Sequence, residues 1–178
     1  MHNTPERGGN VCRRAVMYVL AAVLGVAAAL AVTSVFTVMT VRGTGMEPSL
    51  ADGSSVLINR LAYAGGESSP DVGELIAVRS HVYGEDGEGG IIVRRVAGAP
   101  GDTVEIRDNV FYLNGRPYEE YMKEPVHMDD MNRIKLGHDE LFVLSDNRKS
   151  SMDSRNEAIG VLKIEDCVGK VSLKWKLG

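Results

Sequence analysis

Three short stretches of this 178-residue chain concentrate the residue types from which a reactive or binding site is built. The first is Gly43-Thr44-Gly45-Met46-Glu47-Pro48-Ser49-Leu50 and the second Arg94-Arg95-Val96-Ala97-Gly98-Ala99-Pro100-Gly101-Asp102. The third is Leu144-Ser145-Asp146-Asn147-Arg148-Lys149-Ser150-Ser151-Met152-Asp153-Ser154-Arg155. Taken singly each is turn chemistry, since Pro-Gly-Asp makes a turn and Asp-Asn-Arg a polar loop. Together they supply carboxylates, guanidinium groups and hydroxyls, groups that make charged hydrogen bonds. Asp153 is expected to pair with Arg155 or with Arg148. Arg94 needs a carboxylate or a path to solvent, because a buried unpaired guanidinium is costly; Asp153 and Asp146 are the candidates. In one reading Arg94 only fills space, and in the other it projects outward and holds an acceptor.

Short β-type runs must position these segments. Residues 56–58, 74–79, 91–96, 103–107, 110–113, 140–144 and 170–177 read as strands. Asp108-Asn109 is a hairpin signal and Asn114-Gly115 a strong turn just after it. The stretch 84–90 (GEDGEGG) is an acidic connection, and 117–133 has no clean period and reads as an acidic surface excursion. No helix longer than about two turns is expected outside the N-terminal region. Strands at this spacing suggest a closed or folded antiparallel sheet, so the class is mainly β.

Residues 15–41 carry no charge. Roughly 20 apolar residues suffice to cross a bilayer as a helix, so a transmembrane helix near 15–36 is expected, with a β-branched lead-out to 41. The run is longer than the usual apolar core of a cleaved signal peptide, which favours an anchor. Arg13 and Arg14 abut its start while Arg42 stands alone after it, which places residues 1–14 in the cytoplasm and 42–178 outside the plasma membrane. From residue 43 onward the chain has 23 acidic against 16 basic residues, a balance that argues against a nucleic-acid partner. Cys12 and Cys167 then lie on opposite sides of the membrane and cannot pair.

In their order, behind an apolar span, the three segments resemble the type I signal peptidase family, the membrane serine proteases that cut signal peptides from exported proteins. That family's pattern reads S-M-x-P-T-L, then K-R-x-x-G-x-P-G-D, then G-D-N-R-x-x-S-x-D-S-R. Matching here are Met46, Pro48 and Leu50; then Arg95, Gly98, Pro100, Gly101 and Asp102; then Asp146, Asn147, Arg148, Ser151, Asp153, Ser154 and Arg155. The resemblance implies a mostly antiparallel β-sheet catalytic core, with the size and single span of the compact Gram-positive members. It also implies a Ser/Lys dyad, in which the serine before Met attacks the scissile carbonyl. The lysine before Arg, neutral through burial, takes the proton.

The nucleophile's position is here Gly45, which has no side chain, and the base's position is Arg94, whose guanidinium keeps its proton at neutral pH. Ser145 replaces the family's Gly before Asp-Asn-Arg. Thr44 is expected to point away from the vacated site, as alternate side chains of extended chain do. Ser49 reads as structural, and Ser151 matches the family serine that hydrogen-bonds the lysine. Asp146, Asn147, Arg148, Asp153, Ser154 and Arg155 keep the frame. The expectation is a non-catalytic relative that binds exported polypeptides or signal-peptide-like segments. Resemblance to Gram-positive relatives with a replaced dyad extends this to pilins or sortase. The alternative is an active peptidase with a displaced nucleophile such as Ser151; a third option is an anchor with no ligand. A self-cleaving repressor of the Ser/Lys type is excluded by the membrane span and the missing DNA-binding region. No cofactor or metal is implied.

Overall fold

The computed structural model describes residues 7–65, 68–80, 82, 90–118, 126–150 and 152–175. The chain divides into two compact units, Met1–Phe36 and Thr37–Gly178. The first is dominated by α1, Arg7–Val35. Its segment Cys12–Val35 has a mean hydropathy of 2.5 and is long and apolar enough to cross a membrane. The helix starts at Arg7, about two turns before the expected residue 15, so Arg13 and Arg14 lie within it. Once a helix is nucleated each further residue adds a hydrogen bond at little cost, so a charge does not stop it. It ends where β-branched residues gather, and Phe36–Thr40 forms strand β1 as the lead-out reading expected.

The second unit is almost entirely antiparallel sheet. The strands are β2 (Ser55–Asn59), β3 (Leu75–Ser80), β4 (Gly90–Gly98), β5 (Thr103–Arg107), β6 (Val110–Leu113), β7 (Arg116–Pro117), β8 (Met131–Lys135), β9 (Glu140–Leu144), β10 (Leu162–Lys163) and β11 (Cys167–Trp175). Seven of them run in the order β1-β2-β11-β3-β4-β9-β10, and four make a smaller sheet, β7-β6-β5-β8. The β5–β6 hairpin turns on Asp108 and Asn109, both at positive φ (52° and 64°), which matches the right-handed twist of the flanking strands. Asn114 and Gly115 do the same before β7.

The larger sheet buries apolar side chains on both faces, because alternate residues of one strand serve different clusters. Ala77 packs with Val41, Met46, Leu50, Val56, Ile58 and Val93. Its neighbours Ile76 and Val78 pack with Val96, Leu141, Val143 and Leu162. The smaller sheet closes over Phe142 and Leu144 of β9 through Val104, Ile106 and Phe111. Within 117–133 two described residues depart from the expected surface excursion: Met128 is buried in this last cluster, and Met131 opens β8, which pairs with β5. The period was hidden because the β5–β8 register shifts between Val104 and Ile106. Residues 119–125 and 83–89 lie outside the described residues.

The last strand, β11, runs between β2 and β3 inside the larger sheet. At Gly169 a β-carbon would stand 2.3 Å from the Asn59 carbonyl oxygen, a backbone atom that cannot swing away. Gly169→Ala is expected to lower stability by about 2–3 kcal/mol, read as a lower thermal midpoint in detergent. Beside it, Lys170 Nζ and the Tyr63 hydroxyl both donate to the Glu74 carboxylate. Burial alone raises the Glu74 pKa, but these donors outweigh it and hold the carboxyl below its ordinary range. A depressed folded pKa means the contribution is complete above the unfolded pKa of about 4.3 and is lost as pH falls below it. Glu74→Gln is therefore expected to flatten the acid-side decline of the thermal midpoint below about pH 4.5; an unchanged slope would refute this.

Candidate functional site

The three sequence segments meet around one cleft of about 760 Å³. One wall is the chain from Met39 to Met46 and the other is the first half of β4, Gly90 to Arg94, with Ser150 and Met152 between them. Among the described residues both walls carry open strand edge. β1 ends the seven-stranded order. The register of β4 with β9 begins at Arg95, whereas its register with β3 begins at Gly90.

Gly45 and Arg94, far apart in sequence, are brought together here. A β-carbon on Gly45 would stand 3.6 Å from Arg94 Nη2 and 3.3 Å from Ser150 Oγ. Arg94 is only 7% exposed. Its Nε donates to the Met152 carbonyl and its Nη1 to the Val93 carbonyl, each at 2.6 Å. The expected carboxylate partners are otherwise engaged: Asp146 is held by Arg95, and Asp153 by Arg155. The reason is the strand's alternation, which sends Arg94 and Arg95 to opposite faces of β4. The segment around Gly45 is a turn and not extended chain, so the alternation expected to turn Thr44 away does not apply, and Thr44 lines the same cleft.

Arg95 and Asp146 form a two-pronged pair, Nε to Oδ1 at 2.7 Å and Nη2 to Oδ2 at 2.6 Å, with side chains 9% and 1% exposed. The Arg95 fork also donates to the Gly73 carbonyl and to Ser49 Oγ. Asn147 then stitches the third segment to the first. Its backbone N–H donates to the Gly45 carbonyl at 2.9 Å, and its side-chain amide to the Thr44 carbonyl at 3.2 Å.

Asp153, fully buried, accepts from the Ser145 N–H at 2.8 Å and from Arg155 Nε and Nη2 at 2.8 and 2.7 Å. Arg155 also donates to the carbonyls of Arg148 and Ser150, clamping the loop on which Ser150 sits. Of the two pairings expected for Asp153, the one with Arg155 is present. Ser154 is buried and exchanges hydrogen bonds with Val143 of β9 through its N–H and its hydroxyl. Ser145 is fully buried and its hydroxyl has no partner among the described residues. Ser151 lies outside the described residues.

Sequence reasoning missed two contributors. Ser150 places its hydroxyl beside Gly45, and Met152 supplies both cleft lining and the carbonyl for Arg94. Ser49, read as structural, accepts from Arg95. Ser150 and Met152 occupy unconstrained places in the third segment, and only the fold brings them to the cleft.

The family model for signal peptidase, peptidase S26, matches residues 12–176. Signal peptidase I P of Bacillus subtilis subsp. natto is 33% identical over 148 residues, covering 77% of this chain and 75% of the relative. Signal peptidase I of Bacillus licheniformis is 31% identical over 165 residues, 86% and 84% of the two chains. Signal peptidase IB of Staphylococcus aureus strain N315 is 31% identical over 162 residues, 79% and 78%. The crystal structure of a signal peptidase I from Enterococcus faecalis V583 is 27% identical and covers 59% of this chain and 98% of that one, with a TM-score of 0.47. With a family match over nearly its whole length and relatives above 30% identity over most of both chains, this chain belongs to the signal peptidase, peptidase S26 family.

Proposed function

We propose that this chain holds exported polypeptides in its cleft and does not cut them. The observation that carries the reading is the pair facing each other across the cleft, a glycine with no side chain and an arginine that cannot give up its proton. On the family resemblance these are the nucleophile and base positions. Losing one member of a catalytic unit costs on the order of 10⁴-fold or more in rate, and losing the second adds little. What surrounds the pair still suits a polypeptide. The open edges of β1 and of the first half of β4 offer backbone N–H and C=O groups to an extended chain. Arg94 lines the cleft between them, its guanidinium held by the Met152 and Val93 carbonyls. Signal-peptide-bearing preproteins are the substrates the family membership supplies. Pilins handled beside a sortase are the narrower class we propose, on the resemblance to Gram-positive relatives with a replaced dyad. Helix α1 anchors the domain in the plasma membrane, and Arg13 and Arg14 set its N-terminus on the cytoplasmic side.

One observation favours a second reading, an active peptidase with a displaced nucleophile. Ser150 puts a hydroxyl 3.3 Å from where a Gly45 side chain would begin, and Ser151 is its neighbour.

A matched assay separates the two. The purified full chain in detergent is given a preprotein, beside the double reversion Gly45→Ser with Arg94→Lys. The native chain is expected to release no mature product while still retaining the preprotein in a pull-down, and the reverted chain is expected to cleave. A β-carbon on Gly45 meets only the movable ends of Ser150 and Arg94, so the reversion fits. Cleavage by the native chain that stops in Ser150→Ala or Ser151→Ala would establish the second reading and end the first.

A further inference from the structure

On the other side of the loop that walls the cleft lies a second concavity, of about 820 Å³. The loop divides its residues between the two: Ser150 and Met152 face the cleft, whereas Arg148, Lys149 and Arg155 line the second concavity. Its floor is apolar, made by Ile106, Met128, Ile134 and Val161, with Met131 beside them. Its rim carries Asp129, Asp130 and Glu157 together with His127 and Lys149.

Arg148 is the feature that the frame does not explain. Only 4% of its surface is exposed. Its Nε donates to the Ser145 carbonyl at 2.9 Å, but its Nη1 is fully enclosed and has no acceptor among the described residues. The two carboxylates of the frame are committed to Arg95 and Arg155. Burial, with the adjoining Arg155 charge, pushes the Arg148 guanidinium below its ordinary value. A charged donor enclosed without an acceptor costs more than a neutral one, because it has left water without compensation. An incoming oxyanion relieves that cost; an amide relieves less of it.

We propose that this second concavity is a polypeptide subsite that takes an acidic side chain, its carboxylate directed to Arg148 and its apolar neighbours seated on the Ile106–Met128 floor. Two observations select a polypeptide carboxylate over a phosphate. The floor wants hydrocarbon, and one enclosed guanidinium matches one negative charge. The rim also favours ligands with a basic residue beside the acidic one. The subsite rests on the reading that the domain holds polypeptides, and it extends the bound chain past the cleft. The two sites share a wall in which Arg155 clamps both the Arg148 and the Ser150 carbonyls, so filling one stiffens the other.

Methionine methyl groups test the subsite and its premise separately. Met128 and Met131 report on the second concavity, and Met39 and Met46 on the cleft. The full chain in detergent, labelled at the methionine methyls, is titrated with N-acetyl-Leu-Asp-Leu-Lys-amide, with its Asn counterpart, and with inorganic phosphate. The Asp peptide is expected to shift Met128 and Met131, at least tenfold more tightly than the Asn peptide, with phosphate inert. Arg148→Met is expected to erase that difference, and the Asp–Asn comparison on the native chain stands if the variant does not fold. Equal responses to Asp and Asn, or a shift driven by phosphate, would overturn the subsite. So would silence at Met128 and Met131, and the cleft reporters then say separately whether the polypeptide reading survives.

Discussion

The architecture around the cleft depends on one buried ion pair, Arg95 with Asp146. It joins the middle of β4 to the first residues after β9, and its two short bonds leave the side chains 9% and 1% exposed. Taking both charges out of water is expensive, and the two-pronged geometry, together with the extra donation to Gly73 and Ser49, offsets that expense. Removing one partner would leave a buried charge uncompensated, a loss of about 3–5 kcal/mol in comparable pairs. The pair does more than stabilise. By fixing where the chain leaves β9, it decides where Asn147 meets Gly45 and Thr44, and so where the cleft wall stands.

A second buried carboxylate completes the loop. Asp153 receives Arg155 and the Ser145 N–H, and Arg155 passes the constraint on to the Arg148 and Ser150 carbonyls. Every one of these contacts is a charged or backbone hydrogen bond inside the domain, and none involves Gly45's missing side chain. The frame can therefore be kept whether or not the dyad is, and its retention alone does not argue for catalysis. It argues for a cleft whose shape matters.

Much of this was legible in the residues, for identifiable reasons. Strands β2, β3, β4, β5, β6 and β9 stood out because β-branched runs are bounded by turn residues, and the Asp108-Asn109 turn because both positions tolerate positive φ. The Asp153–Arg155 pair was readable as a local contact. Strand β8 was hidden, since it pairs across a register shift and its buried residue Met128 precedes the strand itself. Which of the two adjacent arginines takes Asp146 was not legible, because sequence does not say which of them faces it. That choice is settled by the β4 register alone, which sends Arg95 to Asp146 and Arg94 to Met152. The alternation used for Thr44 does not apply, because the chain there is a turn.

The two residues that face each other in the cleft also make sense as a pair. A lysine in this place could shed its proton and be buried neutral, but a guanidinium cannot. Arg94 therefore needs acceptors, and the carbonyls of Met152 and Val93 supply them at 2.6 Å. It also needs width, since a planar fork spreads further than an ammonium. The width comes from Gly45. A β-carbon there would lie 3.6 Å from Nη2 and 3.3 Å from Ser150 Oγ, so a serine's hydroxyl would have to share the space that the fork fills. Arginine at 94 and glycine at 45 thus fit one another by volume, and each makes the other easier to hold. On the proposed reading, an arginine and a glycine fitted in this way stand where a site for proton transfer would be and make a charged recess that holds a chain.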